Sequence, residues 1–238
     1  MELKTLSLAD ISIALIPVII VFIIMLAWLD DKWQVFYATA RMILQLLLVG
    51  YVLQSLFAQD MATITLAVII LMIIVSSWIS LRPLSRITRQ PFYSALLAIG
   101  VGGSLNLLLI VFGVIRPETW HQPALIIPLA GMVYANCMNA VSLAAERFQS
   151  DKSEHPAITA RNRAFNAAML PQINSLLAVG LVALPGMMTG QILSGVSPLI
   201  AVRYQIVVMC MVLGSAGIST ALYLAREINR SPSVSSTQ

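Results

Sequence analysis

The sequence predicts an all-α, polytopic membrane protein with about seven transmembrane helices. The chain has 238 residues, of which 59% are hydrophobic and only 10% are charged, whereas soluble proteins carry about 25% charged residues. Seven apolar segments each approach the length of about 20 residues that a helix needs to cross the hydrocarbon core of a bilayer. No ten-residue alternation of apolar and polar residues, which would indicate a membrane β-barrel, is visible.

The seven apolar segments follow one another along the chain. Their approximate bounds are 11–28, 35–57, 62–81, 93–115, 123–145, 167–186 and 198–225. No small-residue cleavage site follows the first segment, so we interpret it as a retained span and not as a signal peptide. We treat residues 1–230 as one transmembrane domain and residues 231–238 as a disordered polar tail.

The distribution of basic residues predicts the orientation of the spans. Ten lysines and arginines fall in connections on one side, and only two, Lys4 and Arg116, fall on the other side. Because cytoplasmic loops collect basic residues, the N-terminus is expected outside the cell and the C-terminus in the cytoplasm. The ten are Lys32, Arg82, Arg86, Arg89, Arg147, Lys152, Arg161, Arg163, Arg226 and Arg230.

The second segment contains a charged residue. Arg41 lies about six residues in from its cytoplasmic end, so its side chain can reach the headgroups or form a structural pair. A place in a transport path or a partner contact is the alternative. Gln45, four residues later, shares the face of Arg41 and fits either helix packing or ligand contact.

The fifth segment, IPLAGMVYANCMNAVSLAAER, places small and polar residues on shared faces. Gly131, Ala135 and Asn139 recur every four residues, a spacing that lets another helix approach closely. Asn136 and Asn139 are three residues apart, so both amides can point at one partner or one cavity. Met132, Cys137 and Met138 are soft ligands for thiophilic metals, although Met and Asn at such positions also serve ordinary helix packing.

The sixth segment is interrupted by two prolines, Pro171 and Pro185. Each proline frees a backbone carbonyl and is expected to kink or end the helix. The motif PGMMTG after the second proline fits a hinge or re-entrant turn at the outer side of a permeation path, and it fits an ordinary extracellular loop equally well. Polar or flexible residues beside the prolines are Gln172, Asn174, Ser175, Gly186, Thr189, Gly190, Gln191 and Gly195.

Several chemistries lack the residues they need. No glycine is followed by lysine, so the chain has no P-loop, and it has neither an H-E-x-x-H nor a G-x-S-x-G motif. His121 and His155 fall on opposite sides of the membrane, and no buried Asp or Glu is expected. Cys137 and Cys210 both lie in apolar segments, so no disulfide framework is implied. The chain is therefore expected to be a carrier or channel and not an enzyme, with no nucleic-acid partner.

The longest polar connection joins the fifth and sixth segments. From Pro156 it reads as a short basic amphipathic helix, with Ile158 and Phe165 on its apolar side and Arg161 and Arg163 on its charged side. Such a helix can lie along the lipid headgroups, or it can dock on a cytoplasmic partner.

Three stretches, ARMILQLLLVGYVL, IPLAGMVYANCMNAVSLAAER and the run from residue 167 to residue 209, resemble the FetB-type permeases, the iron-export subunits of an ABC transporter. The resemblance covers nearly the whole chain. It implies a bacterial inner-membrane permease that forms a homodimer and works with a separate cytoplasmic ATP-binding subunit. The chain itself would then need no cofactor, because the partner binds ATP.

The matching positions suggest roles, which are hypotheses for this chain. The hypothetical substrate path comprises Arg41, Gln45, Met132, Asn136, Met138, Asn139, Asn174, Ser175, Met187 and Met188. The hypothetical helix break or hinge comprises Pro171, Pro185, Gly186, Gly190 and Gly195. The hypothetical coupling residues for the ATPase come instead from the predicted cytoplasmic loops and are Arg82, Arg86, Arg89, Arg147, Arg161 and Arg163. No metal site is assigned.

Two departures from the family pattern bear on these roles. Ala135 stands before Asn136 where the family usually has glycine, and the loop RFQSDKSEHPAIT is shorter than the corresponding family loop. If the missing element couples the ATPase to the permease, other residues must serve that purpose here. An ATP-independent carrier or channel and a non-transporting membrane partner of an ATPase are therefore the competing interpretations.

Overall fold

The computed structural model describes residues 12–28, 33–57, 61–84 and 88–230. Most of these residues are α-helical. The others form a π-helix, the turns between helices and one isolated β-bridge between Val179 and Ala183. They fall into two compact units, one within residues 1–59 and the other within residues 60–238. The predicted polar tail and Lys4, Lys32 and Arg86 lie outside the described residues, and the single domain over 1–230 stays a prediction.

The first unit contains two apolar helices, α1 (Ile16–Trp28) and α2 (Gln34–Phe57). The Phe22 ring of α1 lies 6.2 Å from Trp33 and 6.0 Å from Phe36 between ring centroids. These tilted aromatic contacts join α1 to the start of α2. These helices correspond to the first two predicted apolar segments.

The second unit contains six α-helices among its described residues. They are α3 (Ala62–Ser80), α4 (Arg89–Leu108), α5 (Pro123–Asp151), α6 (Ala157–Ala178), α7 (Gly186–Leu193) and α8 (Pro198–Ile228). A π-helix, Leu109–Ile115, continues α4. The contacts of α4 with α8, of α5 with α8 and of α5 with α6 form the body of this unit.

Four helices of the described residues are long and apolar enough to cross a membrane. They are Ala62–Ser80, Arg89–Ile115, Pro123–Asp151 and Pro198–Ile228. They correspond to the third, fourth, fifth and seventh predicted segments, so the predictions of an all-α fold and of membrane-spanning helices are confirmed. The total of seven spans and the orientation stay predictions.

The sixth predicted segment, 167–186, is wrong as a single helix. Residues 157–178 form one helix, the chain turns at 179–185, and the short helix α7 follows. The basic helix expected after Pro156 is thus the first half of α6. Its Ala160, Ala164 and Ala168 are fully buried, because small residues every four positions allow close helix packing.

Pro171 does not end α6, which continues for seven residues beyond it. A proline inside a helix removes one hydrogen bond to the carbonyl four residues earlier, and the packing of α6 on α5 and α8 offsets that loss. The helix ends instead at Ala178, two residues before Gly180, whose φ of +82° is left-handed. Pro185 then precedes α7.

Two adjacent glycines allow α4 to approach α5 and α8. A Cβ on Gly102 would lie 2.8 Å from the backbone nitrogen of Ser219 in α8, and one on Gly103 would lie 2.8 Å from the Tyr134 ring in α5. The Tyr134 hydroxyl and Ser104 Oγ are 2.9 Å apart, and Ser219 Oγ donates to Cys137 Sγ at 3.3 Å. The centre of this unit is therefore packed through small residues and short polar contacts.

The two ends of the second unit differ in the residues that they carry. At one end Arg230, after α8, donates to the carbonyl of Gln90 in α4 at 3.2 Å, and α5 turns into α6. We name this the basic end, after Arg82, Arg89, Arg147, Arg161, Arg163, Arg226 and Arg230. At the opposite end, the Thr65 hydroxyl of α3 donates to the carbonyl of His121 at 2.9 Å.

Candidate functional site

A polar cleft lies between α5, α6 and α8. It has a volume of about 390 Å³. Asn136 in α5 lies about 20 Å from either end of that helix, at 1.5 Å per residue. The lining residues are Met132, Asn136, Asn139, Ala140, Leu143, Ala168, Pro171, Gln172, Ser175, Gln205, Val208, Met209 and Val212.

The Asn136 side chain is held by two contacts in the cleft wall. Its Nδ2 donates to the Met132 carbonyl at 2.8 Å, and its Oδ1 accepts from Gln172 Nε2 at 3.4 Å. Gln172 is nine-tenths buried, so this link between α5 and α6 is largely shielded from solvent. The Asn136 amide is thereby fixed toward the cleft without a charged partner.

Gln205 brings a buried amide from α8 to the same cleft. Only 6% of this residue is exposed, and its Oε1 accepts no hydrogen bond from the part of the chain that the structure describes. A buried carbonyl oxygen without a donor is energetically costly. Gln205 also borders a neighbouring apolar cavity of about 300 Å³, so it lies at the boundary between the polar and the apolar space.

The structure brings five of the predicted path and hinge residues together in this cleft. Met132, Asn136 and Asn139 come from α5, and Pro171 and Ser175 come from α6. Met138 and Asn174 lie on the same two helices but do not line the cleft. The three-residue spacing of Asn136 and Asn139 did predict that both amides reach one cavity.

Three lining residues that carry an amide or a thioether were not among the predicted path residues: Gln172, Gln205 and Met209. Gln172 was noted only for its position beside Pro171. Gln205 and Met209 are four residues apart in α8 and so share a face. That spacing was the available signal, but α8 could be placed against α5 only with the tertiary structure.

Met187 and Met188 lie in α7, away from the polar cleft. Met187 lines a largely apolar cavity of about 430 Å³ with Ile110 and Leu125, toward the end of the unit where His121 lies. Met188 lines the apolar cavity that Gln205 borders. Both thioethers therefore face mainly apolar neighbours, and their predicted place in the substrate path stays a prediction.

The glycines of the predicted hinge differ in backbone conformation. Gly195 has a φ of +91°, which is left-handed, whereas Gly190 lies inside α7 and Gly186 is its first residue. A Cβ at any of the three would meet no atom within 4 Å. Only Gly195 therefore needs glycine for its conformation.

Arg41 and Gln45 lie on α2 in the first unit. Arg41 is half-buried and Gln45 is exposed. Their four-residue spacing puts them on one face of α2, as predicted from the sequence.

The described residues contain no group of three or more His, Cys, Asp or Glu side chains that could hold a metal ion. The cleft offers amide and hydroxyl oxygens and the thioethers of Met132 and Met209 instead. These donors are neutral at any physiological pH. The cleft can therefore contact a polar or cationic substrate without gaining or losing a proton.

A buried carboxylate lies at the basic end, contrary to the expectation that no Asp or Glu is buried. Asp151, the last residue of α5, is 6% exposed. Its Oδ2 lies 3.1 Å from Arg147 Nε and 3.9 Å from Arg163 Nη1, and Arg163 also contacts His155. The two arginines explain the burial, because a buried carboxylate is stable only when it is paired.

The remaining coupling candidates that the structure describes, Arg82, Arg89 and Arg161, are exposed at the basic end. Arg161 donates through Nε and Nη2 to Asn162 Oδ1 at 3.1 and 3.0 Å, and it lines a groove of about 630 Å³ with Phe165 of α6 and Leu224 of α8. Arg82 follows α3, and Arg89 opens α4. Arg86 lies outside the described residues.

Comparison with protein families gives a match over most of the chain. The matching family is described as an uncharacterised protein family, UPF0014, and its model covers residues 8–161 and 152–230. The two matches overlap at residues 152–161, which include the turn between α5 and α6. The shortened loop identified in the sequence lies at the same place.

Curated relatives match over similar lengths. The chain is 33% identical to the UPF0014 membrane protein slr1647 of Synechocystis, over 83% of each chain. It is 32% identical to the probable iron export permease protein FetB of Escherichia coli, over 89% of this chain and 87% of that protein. It is 33% identical to the UPF0014 membrane protein STAR2 of Oryza sativa, over 79% and 70%. No solved structure matches the chain significantly.

Proposed function

We propose that this chain, which belongs to the UPF0014 family of membrane proteins, is the permease subunit of an ATP-driven exporter. Its substrate is iron or another metal ion, as the name of the Escherichia coli relative suggests. The observation that carries the proposal is the polar cleft between α5, α6 and α8.

The cleft is suited to a transport path because of its position. Two of the three helices that form it, α5 and α8, are long and apolar enough to span a membrane. Exposed polar side chains such as Asn139 and Ser175 are unfavourable toward lipid in the middle of a span. Polar groups at that depth are stable where they line a water-filled or substrate-filled space.

We propose that a partner protein, and not this chain, hydrolyses ATP. The chain contains no P-loop, so a separate cytoplasmic subunit binds and hydrolyses ATP. We place its contact at the basic end, where Arg161 is exposed beside an open groove. The turn from α5 to α6 is short, and beside it Arg147 of α5 and Arg163 of α6 meet at Asp151, the last residue of α5. We therefore propose that this helical hairpin takes the coupling role despite the shortened loop.

We also propose a cellular location and an assembly for the protein. The basic end faces the cytoplasm, because cytoplasmic connections collect lysine and arginine. The protein resides in the inner membrane of a bacterial cell as a homodimer surrounded by lipid, with two ATP-binding subunits attached. Metal ions leave the cell through the polar cleft.

The first experiment is a purification of the tagged chain from its native membrane in mild detergent, followed by mass spectrometry. We expect a P-loop ATPase in stoichiometric amount, and ATP hydrolysis stimulated by Fe²⁺ after reconstitution. Recovery of the chain alone would instead favour an ATP-independent carrier or channel. Recovery of an ATPase without stimulation by any metal ion would favour a non-transporting membrane partner.

A matched pair of charge reversals locates the contact. Arg161→Glu places a carboxylate at the exposed basic end and is expected to lower the amount of ATPase recovered by at least about tenfold. Arg116→Glu makes the same change on an exposed residue near the opposite end and should leave recovery unchanged. Equal recovery with both variants would remove Arg161 from the contact.

A further inference from the structure

We propose that the polar cleft binds a partly hydrated divalent metal cation through neutral ligands alone, and that Gln205 determines its specificity. The ligands are amide and hydroxyl oxygens together with two thioethers. This inference rests on the proposed function, since it concerns the same cleft and its cargo. It adds the class of ion and the residue that selects it.

The unpartnered oxygen of Gln205 is the first reason. Gln205 is 94% buried, as its 6% exposure shows, and its Oε1 accepts no hydrogen bond from any described residue. A buried carbonyl oxygen in that state gains most from a cation or a strong donor. Gln205 lines the cleft, and rotation of its buried amide toward that space would give Oε1 a metal ion as its partner.

The neighbouring donors indicate the class of cation. Met132 and Met209 contribute thioether sulfurs, and Asn136 and Asn139 contribute amide oxygens. Thioethers favour softer ions, whereas Mg²⁺ and Ca²⁺ require oxygen ligands. A mixed set of this kind favours a transition-metal ion such as Fe²⁺ over Mg²⁺.

The residues that line the cleft carry no formal charge of either sign. No lysine or arginine is among the residues that line the cleft, so a metal chelate with net negative charge finds no counter-charge there. No lining residue is Asp, Glu, His or Cys either. Binding is therefore weak enough for release, which a transport site requires.

Neutral ligands also set the dependence on pH. A site made of His, Cys or carboxylate ligands must lose protons to bind a metal ion, so its affinity rises with pH. Amide oxygens and thioethers have no proton to lose in this range. We expect the Fe²⁺ affinity of the cleft to be the same at pH 6 and pH 8.

The test measures binding of Fe²⁺ to the full chain in lipid nanodiscs by anaerobic equilibrium dialysis. Gln205→Leu removes the amide at similar volume, and we expect the Fe²⁺ affinity to fall by at least about tenfold. Gln191→Leu is the matched control. Its Oε1 is also buried without a hydrogen bond among the described residues, but Gln191 lines the largely apolar cavity near Met187, so its loss should change the affinity by less than about twofold.

A second measurement separates lost binding from lost structure. Both leucine variants should unfold at the wild-type temperature or above it, because each removes a buried amide whose oxygen is unpaired. A Gln205→Leu protein that unfolds normally and binds Fe²⁺ weakly supports the proposal. Unchanged affinity in Gln205→Leu overturns it, as does an equal loss in both variants.

Two further outcomes overturn the chemistry of the site. One is wild-type affinity for Fe²⁺ that rises with pH, which would indicate a titrating ligand. The other is the absence of saturable Fe²⁺ binding, or displacement of Fe²⁺ by an equal concentration of Mg²⁺. The proposed function fails separately, since it is tested by recovery of an ATPase, which does not depend on Fe²⁺ binding to the isolated chain.

Discussion

Gly195 shows how a single residue ends the short helix α7. With a φ of +91°, it donates its N–H to the Ile192 carbonyl at 3.0 Å, and the next residue, Val196, donates to the Gln191 carbonyl at 3.0 Å. This pair of bonds is the Schellman motif, which places a left-handed residue just past the helix end. Only glycine adopts that conformation without steric cost.

Gly190, inside α7, and Gly195, just past its end, should therefore respond differently to substitution by alanine. Gly195→Ala forces a Cβ into the left-handed region and should lower the free energy of unfolding by about 1 kcal/mol. Gly190→Ala lies inside the helix with open space around its Cβ position and should be neutral or stabilising by up to about 1 kcal/mol. Thermal unfolding of both variants in detergent measures the difference, and equal destabilisation would contradict the capping role.

The residue types at the cleft were more predictable than their grouping. Asn136 and Asn139 share a helix face because an α-helix has 3.6 residues per turn, and both line the cleft. The four-residue spacing of Gln205 and Met209 places both on one face of α8, but a glutamine in an apolar helix is as often a packing contact between helices as a ligand. The burial and the unpartnered oxygen of Gln205 depend on the neighbours that α5 and α6 provide.

At the scale of the helices, α4 depends on close approach to α8. The Cβ of an alanine at Gly102 would lie 2.5 Å from Ser219 Oγ, 2.8 Å from its backbone nitrogen and 3.0 Å from its Cα. Because two of these three atoms belong to the backbone, rotation of a side chain cannot remove the clash. The helices would have to move apart.

Gly102→Ala should therefore destabilise the protein by at least about 1–3 kcal/mol, the usual cost of overpacking. Gly100→Ala is the control on the same helix, since its Cβ would make an ordinary contact of 3.5 Å with Ile73. We expect that variant to unfold at or above the wild-type temperature. Size-exclusion profiles and unfolding temperatures in detergent check both, and a tolerated Gly102→Ala would show that α4 and α8 can separate without loss.

Helix boundaries were predicted well where a run of apolar residues determines them, and poorly where the packing of helices determines them. The third, fourth, fifth and seventh predicted segments correspond to helices that are long enough to span, because a run of apolar residues is the main signal for such a helix. The sixth segment was misjudged, since Pro171 lies inside α6. The buried alanines of α6, such as Ala164, differ little in hydropathy from their neighbours. Their packing role therefore could not be predicted from the sequence.

At the scale of the whole molecule, the distribution of lysine and arginine supports a prediction of which end faces the cytoplasm. Lysine and arginine number 14 in the chain, and those described around the ends of the second unit's helices gather mainly at the basic end. The membrane potential and the insertion machinery both act on that asymmetry. The basic end is accordingly expected in the cytoplasm.

Single cysteines can test this orientation. In a Cys210→Ser background the buried Cys137 remains inaccessible, so new thiols report alone. Thr119→Cys, near the end opposite the basic end, should react with an impermeant maleimide in intact spheroplasts. Ser153→Cys, in the turn between α5 and α6, should react only after permeabilisation, and the reverse pattern would invert the proposed orientation. Both positions are exposed.

Because α5 runs without a break from Asn136 to Asp151, one continuous helix connects the cleft to the basic end. Asn139 and Asp151 are 12 residues apart in the sequence, or about 18 Å along the axis. A tilt of the helix by about 5° pivoting at one of these residues would shift the other by about 1.5 Å. Because Asn136 and Asn139 of α5 line the cleft, such a tilt at the arginine pair would change their distances to the facing side chains of α6 and α8.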